Sequence, residues 1–185
     1  LTTYSSSSKT TVIGTSTKTA TGSISSTGRA PSFTTFTYAD QNATTIALTG
    51  DSSSIVQGYS LLRATVSAAN KATANKGASM TKYQLNIGGV ITEVAYGTGA
   101  VTLSNASPQS ATIGVTAIDS RGNTKTVYQT ATFIKYTDTV VKSGSASRAL
   151  NGAGTETSLT YAGSYSAVDF GAATNTILSA QYRYK

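Results

Sequence analysis

The chain has no cysteine, no histidine and no tryptophan, and only two prolines in 185 residues. Without cysteine there can be no disulfide, thiolate metal site or cysteine nucleophile. Without histidine there is no Ser-His-Asp triad, no imidazole metal ligand and no switch that titrates near neutrality. Acids are scarce too: Asp40, Asp51, Glu93, Asp119, Asp138, Glu156 and Asp169 are the whole set. They stand far apart, and most lie beside turn signals. A paired-carboxylate glycosidase site would therefore need long-range convergence. No apolar run approaches the roughly 20 residues that span a bilayer. No signal-peptide pattern opens the chain, and a start at Leu1 is expected of a fragment of a longer polypeptide. The expectation is a protein that is not an enzyme, with no catalytic, cofactor-binding or metal-binding residues to assign and ligand-binding residues unknown.

What is present is serine, threonine and glycine, with eleven tyrosines and four phenylalanines. Fourteen Lys and Arg against seven acids give a net charge of +7. The basic residues (Lys9, Lys18, Arg29, Arg63, Lys71 and onward) are spread along the chain. No basic cluster or interleaved aromatic ladder points to nucleic acid. The expectation is a sparsely charged, Ser/Thr-covered soluble surface. Its mild cationic excess is compatible with contact with an anionic cell envelope, a reading that ranks behind plain solubility.

Residues 110–134 carry the clearest structural signal. Ile113, Val115 and Ala117 share one face of an alternating run, while Thr112 and Thr116 point the other way. Asp119-Ser120-Arg121-Gly122 places Asp first and Gly fourth, as a type I turn prefers. Val127, Ala131 and Phe133 then share a face, with Gln129 the break. This hairpin chemistry recurs. Thr44–Gly50 alternates through Ile46 and Leu48, and Ser60–Ala68 through Leu62, Ala64 and Val66. Tyr83, Leu85 and Ile87 share a face ahead of Gly88-Gly89, and Val90–Tyr96 and Ala100–Leu103 follow. Strands every 8–12 residues with no helical period predict an all-β, immunoglobulin-like sandwich over residues 31–136. Residues 1–30, nearly all Ser, Thr, Gly and Lys, read as a linker or a strand of an upstream domain. Residues 137–185 read as the start of a second β domain. There Thr157, Leu159 and Tyr161 alternate, and Leu178, Ala180, Tyr182 and Tyr184 line a final strand. So few strands hold a marginal core, so this unit is expected to be truncated.

Several smaller constellations carry residue types with a chemistry of their own. Tyr83, Tyr161, Tyr182 and Tyr184 fall on strand positions that suit the edge of a core. Tyr59, Tyr96 and Tyr165 sit in turn-like contexts and suit exposed contacts, including carbohydrate stacking. Lys82, Glu93 and Asn105 lie on successive strands and have the residue types of an intramolecular isopeptide bond. Asn42-Ala43-Thr44 and Asn105-Ala106-Ser107 match the glycosylation sequon. Gly88-Gly89 and Gly97-Thr98-Gly99 open no helix, so phosphate-loop readings fail.

Four phrases resemble a family of minor structural or tail proteins, of unknown function, from long-tailed phages of Gram-positive bacteria. The first is Tyr38–Thr45 running into Leu48–Asp51 and Gln57–Ser60. The second is Asn75–Tyr83, and the third Val115–Thr124. The fourth joins Tyr161–Tyr165, Phe170–Ala172 and Asn175, and ends in Tyr182–Lys185. They cover most of residues 31–185 in the order that family shows. The resemblance implies an extracellular virion tail protein, a spacer or scaffold of the host-adhesion apparatus. Its implied partners are other phage tail proteins, with host cell-wall polysaccharide and further copies of itself as additional candidates; nucleic acid and membrane insertion are not expected. The alternative is a carbohydrate-binding or adhesin module contacting the cell wall. The family continues well past the motif at Lys185, so any receptor-binding head is expected outside this chain.

Overall fold

Strict alternation sets the sheets. In the computed structural model, which describes residues 2–4, 12–19, 28–148, 157–177 and 179, β1 (Thr2–Tyr4) pairs antiparallel with β2 (Val12–Thr15). The body follows with β3 (Thr37–Asp40), α1 (Ala43–Thr49), β4 (Ser54–Val56), β5 (Leu61–Val66), β6 (Met80–Ile87) and β7 (Val90–Ala95). It continues through β8 (Val101–Ala106), β9 (Thr112–Asp119), β10 (Thr124–Thr130) and β11 (Thr132–Ile134). One sheet runs β3-β5-β8 and the other β10-β9-β6-β7. The chain crosses between sheets after β5, β7 and β8, so hairpins and crossovers interleave as in an immunoglobulin-like sandwich.

Both sheets bury the residues that alternation selects. Leu62, Ala64 and Val66 from β5 and Val101 and Leu103 from β8 meet Tyr83, Leu85 and Ile87 from β6 and Ile113, Val115 and Ala117 from β9 in one core. A one-residue slip of β6 would turn its three buried side chains outward, costing about 1.5–3 kcal/mol for each. Two turns hold the register. Gly88 and Gly89 have φ of 61° and 90°, the two positive values that a two-residue type I′ hairpin needs between Ile87 and Val90. At the β9–β10 turn the Gly122 N–H donates to the Asp119 carbonyl at 3.1 Å, the closing bond of the expected type I turn. The break at Gln129 has a purpose: its amide donates to the Phe36 carbonyl. Beyond it the chain changes partner, and β11 pairs parallel with β4.

The expected strand over Thr44–Gly50 is instead the helix α1, a correction with a local cause. Asn42 caps its start by accepting from Thr44 N–H, and Gly50 ends it at φ 70° by donating to the Ile46 carbonyl. Thr45 and Thr49, one helical turn apart, are the buried pair. The alternation through Ile46 and Leu48 lost to two caps.

After the sandwich, β12 (Val140–Arg148) and β13 (Thr157–Ser164) form an antiparallel ribbon. Every side chain of β13 is exposed, Tyr161 at 62%. Tyr161 was expected at a core edge and is not there. The final strand expected through Leu178, Ala180, Tyr182 and Tyr184 lies outside the described residues, as does Glu156.

Candidate functional site

Asp40, at the end of β3, organises the ground on which the site stands. Its buried carboxylate accepts from Asn42 N–H at 2.9 Å, Leu61 N–H at 2.9 Å, the Ser60 hydroxyl at 2.7 Å and the Thr45 hydroxyl. One side chain thus ties the start of α1 to the start of β5. Ser60 in turn accepts from Val56 N–H at 2.9 Å, which fixes the turn after β4. Gly58, at φ 75°, lets that turn reverse, and its N–H donates to the Pro108 carbonyl at 3.0 Å. Tyr59 is held at the tip, 48% exposed.

The parallel pairing of β11 with β4 brings a second ring to the same end. Ile134 stands opposite Val56, so Tyr136, two residues on, reaches the turn that carries Tyr59. The two rings meet edge to face, centroids 5.3 Å apart at 83°. A third ring comes from residues 168–175. There Phe170 N–H donates to the Ala173 carbonyl and Asn175 N–H to the Val168 carbonyl, both at 2.8 Å, closing a tight loop. The loop docks on α1 through Ala172 N–H, which donates to the Leu48 carbonyl at 3.0 Å. Phe170 is buried beside Tyr136, at a centroid distance of 5.9 Å. Gly171 permits this approach: at φ 108°, a Cβ would stand 2.9 Å from the Thr49 carbonyl oxygen.

Between these elements lies an open pocket of about 270 Å³. Tyr59, Tyr136, Phe170, Leu48 and Val56 supply its apolar surface. Asn42, Thr44, Thr174 and Asn175 bring polar groups to it. Among the described residues the lining contains no charged side chain. Just beyond it, the Asp138 carboxylate accepts from the Tyr59 hydroxyl and holds that phenol above its ordinary pKa.

The remaining candidates disperse. Tyr96, expected as an exposed contact, stacks on the buried Tyr83 at 5.7 Å and donates to the Ala72 carbonyl at 2.8 Å. Lys71 covers its ring at 3.8 Å from the centroid. Tyr165 is exposed but does not line the pocket. Tyr83 is fully buried, as expected of a core ring. Lys82 and Glu93 form an exposed cross-strand ion pair at 2.7 Å. Asn105 points the other way, buried with Leu103 and Val101 on the core face of β8, so the isopeptide set is not assembled. Burial also closes the second sequon, and in the first the Asn42 side-chain oxygen caps α1 while one N–H of its amide donates to the Tyr59 carbonyl. The described acids serve turns and pairs, and no three His, Cys, Asp or Glu side chains gather among the described residues. No helix among them is long and apolar enough to cross a membrane.

Tyr59 is legible in the sequence as an exposed contact, whereas Tyr136 and the framing role of Asn42 and Asn175 are not. One signal was legible: Asn42 and Gly50 bracket α1 as caps. The convergence of Tyr136 and Phe170 depends on the parallel pairing of β11 with β4 and on the docking of residues 168–175 on α1, neither of which leaves a local mark.

A family model described as "Siphovirus protein of unknown function (DUF859)" matches residues 1–156. The loop that supplies Phe170, Thr174 and Asn175 lies beyond the matched residues. No curated protein and no solved structure matches the chain.

Proposed function

The chain belongs to this siphovirus protein family of unknown function, and on that premise we propose that it is a non-catalytic structural component of the phage tail. In this reading it is a spacer or scaffold that holds the host-adhesion apparatus at a set distance and orientation. The observation that carries the proposal is the body itself: two sheets sharing one continuous core, closed by tight turns. Such a sandwich transmits orientation because its interior is close-packed and stiff. The β12–β13 ribbon supports an assembled role. Val141 and Tyr161 are 73% and 62% exposed there, and a neighbouring tail subunit or a second copy can cover such a surface and pair with its edges. Immunogold labelling of virions with antibody to residues 31–136 should decorate the host-facing end of the tail. Label confined to the capsid, or absent from intact virions, would overturn the reading.

A second reading, a module that itself contacts cell-wall polysaccharide, is favoured by the pocket of Tyr59, Tyr136 and Phe170. Three rings beside uncharged amides and hydroxyls are what an amphipathic ligand requires.

A further inference from the structure

The scaffold role makes no use of the pocket between α1, the Gly58 turn and the loop of residues 168–175. We infer that this pocket is a binding site for one neutral sugar residue of a glycan. The ligand class deepens the second reading above and is independent of the scaffold role, which stands whether or not a sugar binds.

Size sets the first limit. At about 270 Å³ the pocket falls just below the roughly 300–1,000 Å³ of sites for drug-sized ligands, so it suits a single ring better than a chain segment. The walls set the second. A pyranose has an apolar face of C–H groups that packs against aromatic rings, while its hydroxyls project around the rim and need hydrogen-bond partners. Tyr59 and Tyr136, locked edge to face, offer such a surface, and Phe170 closes the floor.

The polar groups are already in position. The Asn42 side-chain amide donates to the Tyr59 carbonyl at 2.8 Å, and that of Asn175 to the Ser166 carbonyl at 2.6 Å. Each amide is anchored by one N–H and retains a second for a ligand. Anchored groups lose little further freedom on binding, which lowers the cost of association. The hydroxyls of Thr44 and Thr174 add groups that both donate and accept. Charge sets the last limit. With no cation among the lining side chains, a phosphate or carboxylate would lose water and gain no partner.

Saturation-transfer NMR on the full chain, with N-acetylglucosamine, glucose, galactose and rhamnose as probes and inorganic phosphate as the charged control, tests this. At least one sugar should receive saturation on its ring C–H protons, with affinity near 1 mM, the weak end of specific binding. Tyr59→Ala should weaken that binding about tenfold, as expected for loss of an aromatic contact. Thr174→Val, which keeps the shape and removes a hydroxyl, should weaken it several-fold. Tyr161→Ala, exposed on β13 and outside the pocket lining, should leave it unchanged. Circular dichroism checks that each variant is folded, and if Tyr59→Ala is not, Thr174→Val decides. No transfer to any of the four sugars overturns the inference. So does transfer that survives both pocket substitutions, or binding of phosphate alone. Loss of sugar binding alongside tail-tip immunogold label would remove the sugar site and leave the scaffold in place.

Discussion

Asp40 shows how much one residue can settle. Its carboxylate, 1% exposed, is the shared acceptor for donors from the start of α1 and the start of β5. Burying an anion is costly unless hydrogen bonds replace its water, and here four donors do so. Asp40→Ala would leave the Ser60 hydroxyl and two backbone N–H groups short of an acceptor, while the Thr45 hydroxyl keeps the Asn42 carbonyl at 3.0 Å. An unmet buried donor costs about 1–3 kcal/mol, so the variant should lose about 3 kcal/mol or more. Urea unfolding would read this as a lower midpoint at an unchanged slope. A loss within experimental scatter would mean that water replaces the carboxylate and that Asp40 does not organise the turn. Tyr83 plays a comparable part in the core, where its hydroxyl oxygen accepts from the buried Ala72 N–H at 2.7 Å.

Elements here are decided as much by their ends as by their faces. Alternation through Ile46 and Leu48 suits a strand, yet the Asn42 and Gly50 caps make the segment helical. The loop of residues 168–175 depends on a single backbone conformation in the same way. Gly171→Ala would put a Cβ 2.9 Å from the Thr49 carbonyl oxygen, at a φ of 108° that side chains rarely adopt. Such a substitution costs on the order of 1 kcal/mol or more. The expected outcome is local: faster hydrogen exchange at Ala172 N–H, which donates to Leu48, with the β6 and β9 amides still protected. Uniform loss of protection would show that the loop belongs to the same cooperative unit as the sandwich.

At the scale of the molecule, the absence of histidine meets the placement of the acids. Asp119 is held below the ordinary carboxylate range, chiefly by the Asn123 side chain and also by the N–H groups of Asn123 and Arg121. Glu93 is lowered by Lys82 and Gln84, and Asp51 by the Ser53 hydroxyl and N–H. A carboxyl lowered on folding adds stability above its unfolded pKa near 4 and loses it as pH falls through the folded value. Thermal stability should therefore be flat between about pH 5 and 8, where only histidine would titrate, and fall below about pH 4. The Lys82–Glu93 pair is exposed, so salt should screen its share, while the hydrogen-bonded contributions of Asp51 and Asp119 should persist. Calorimetry across this range checks it. Asp119→Asn should flatten part of the acid limb, and a steep change between pH 5 and 8 would contradict the assignment.

The sequence by itself determined the sheets. Leu62-Ala64-Val66, Tyr83-Leu85-Ile87 and Ile113-Val115-Ala117 each alternate at period two, and only one register buries all three sets. It also determined the turns at Gly88-Gly89 and Asp119–Gly122, because positive φ and closing hydrogen bonds are properties of a few adjacent residues. Tyr96 and Tyr161 exchanged their expected places because burial depends on what lies opposite, which alternation within one strand does not record. The pocket was decided by tertiary structure alone. Asn42, Tyr59, Tyr136 and Phe170 are distant in the chain, and they meet because β11 pairs parallel with β4 and a glycine lets one loop touch α1. Long-range pairing of this kind follows from the free energy of the whole packed core rather than from the residues around any one of them.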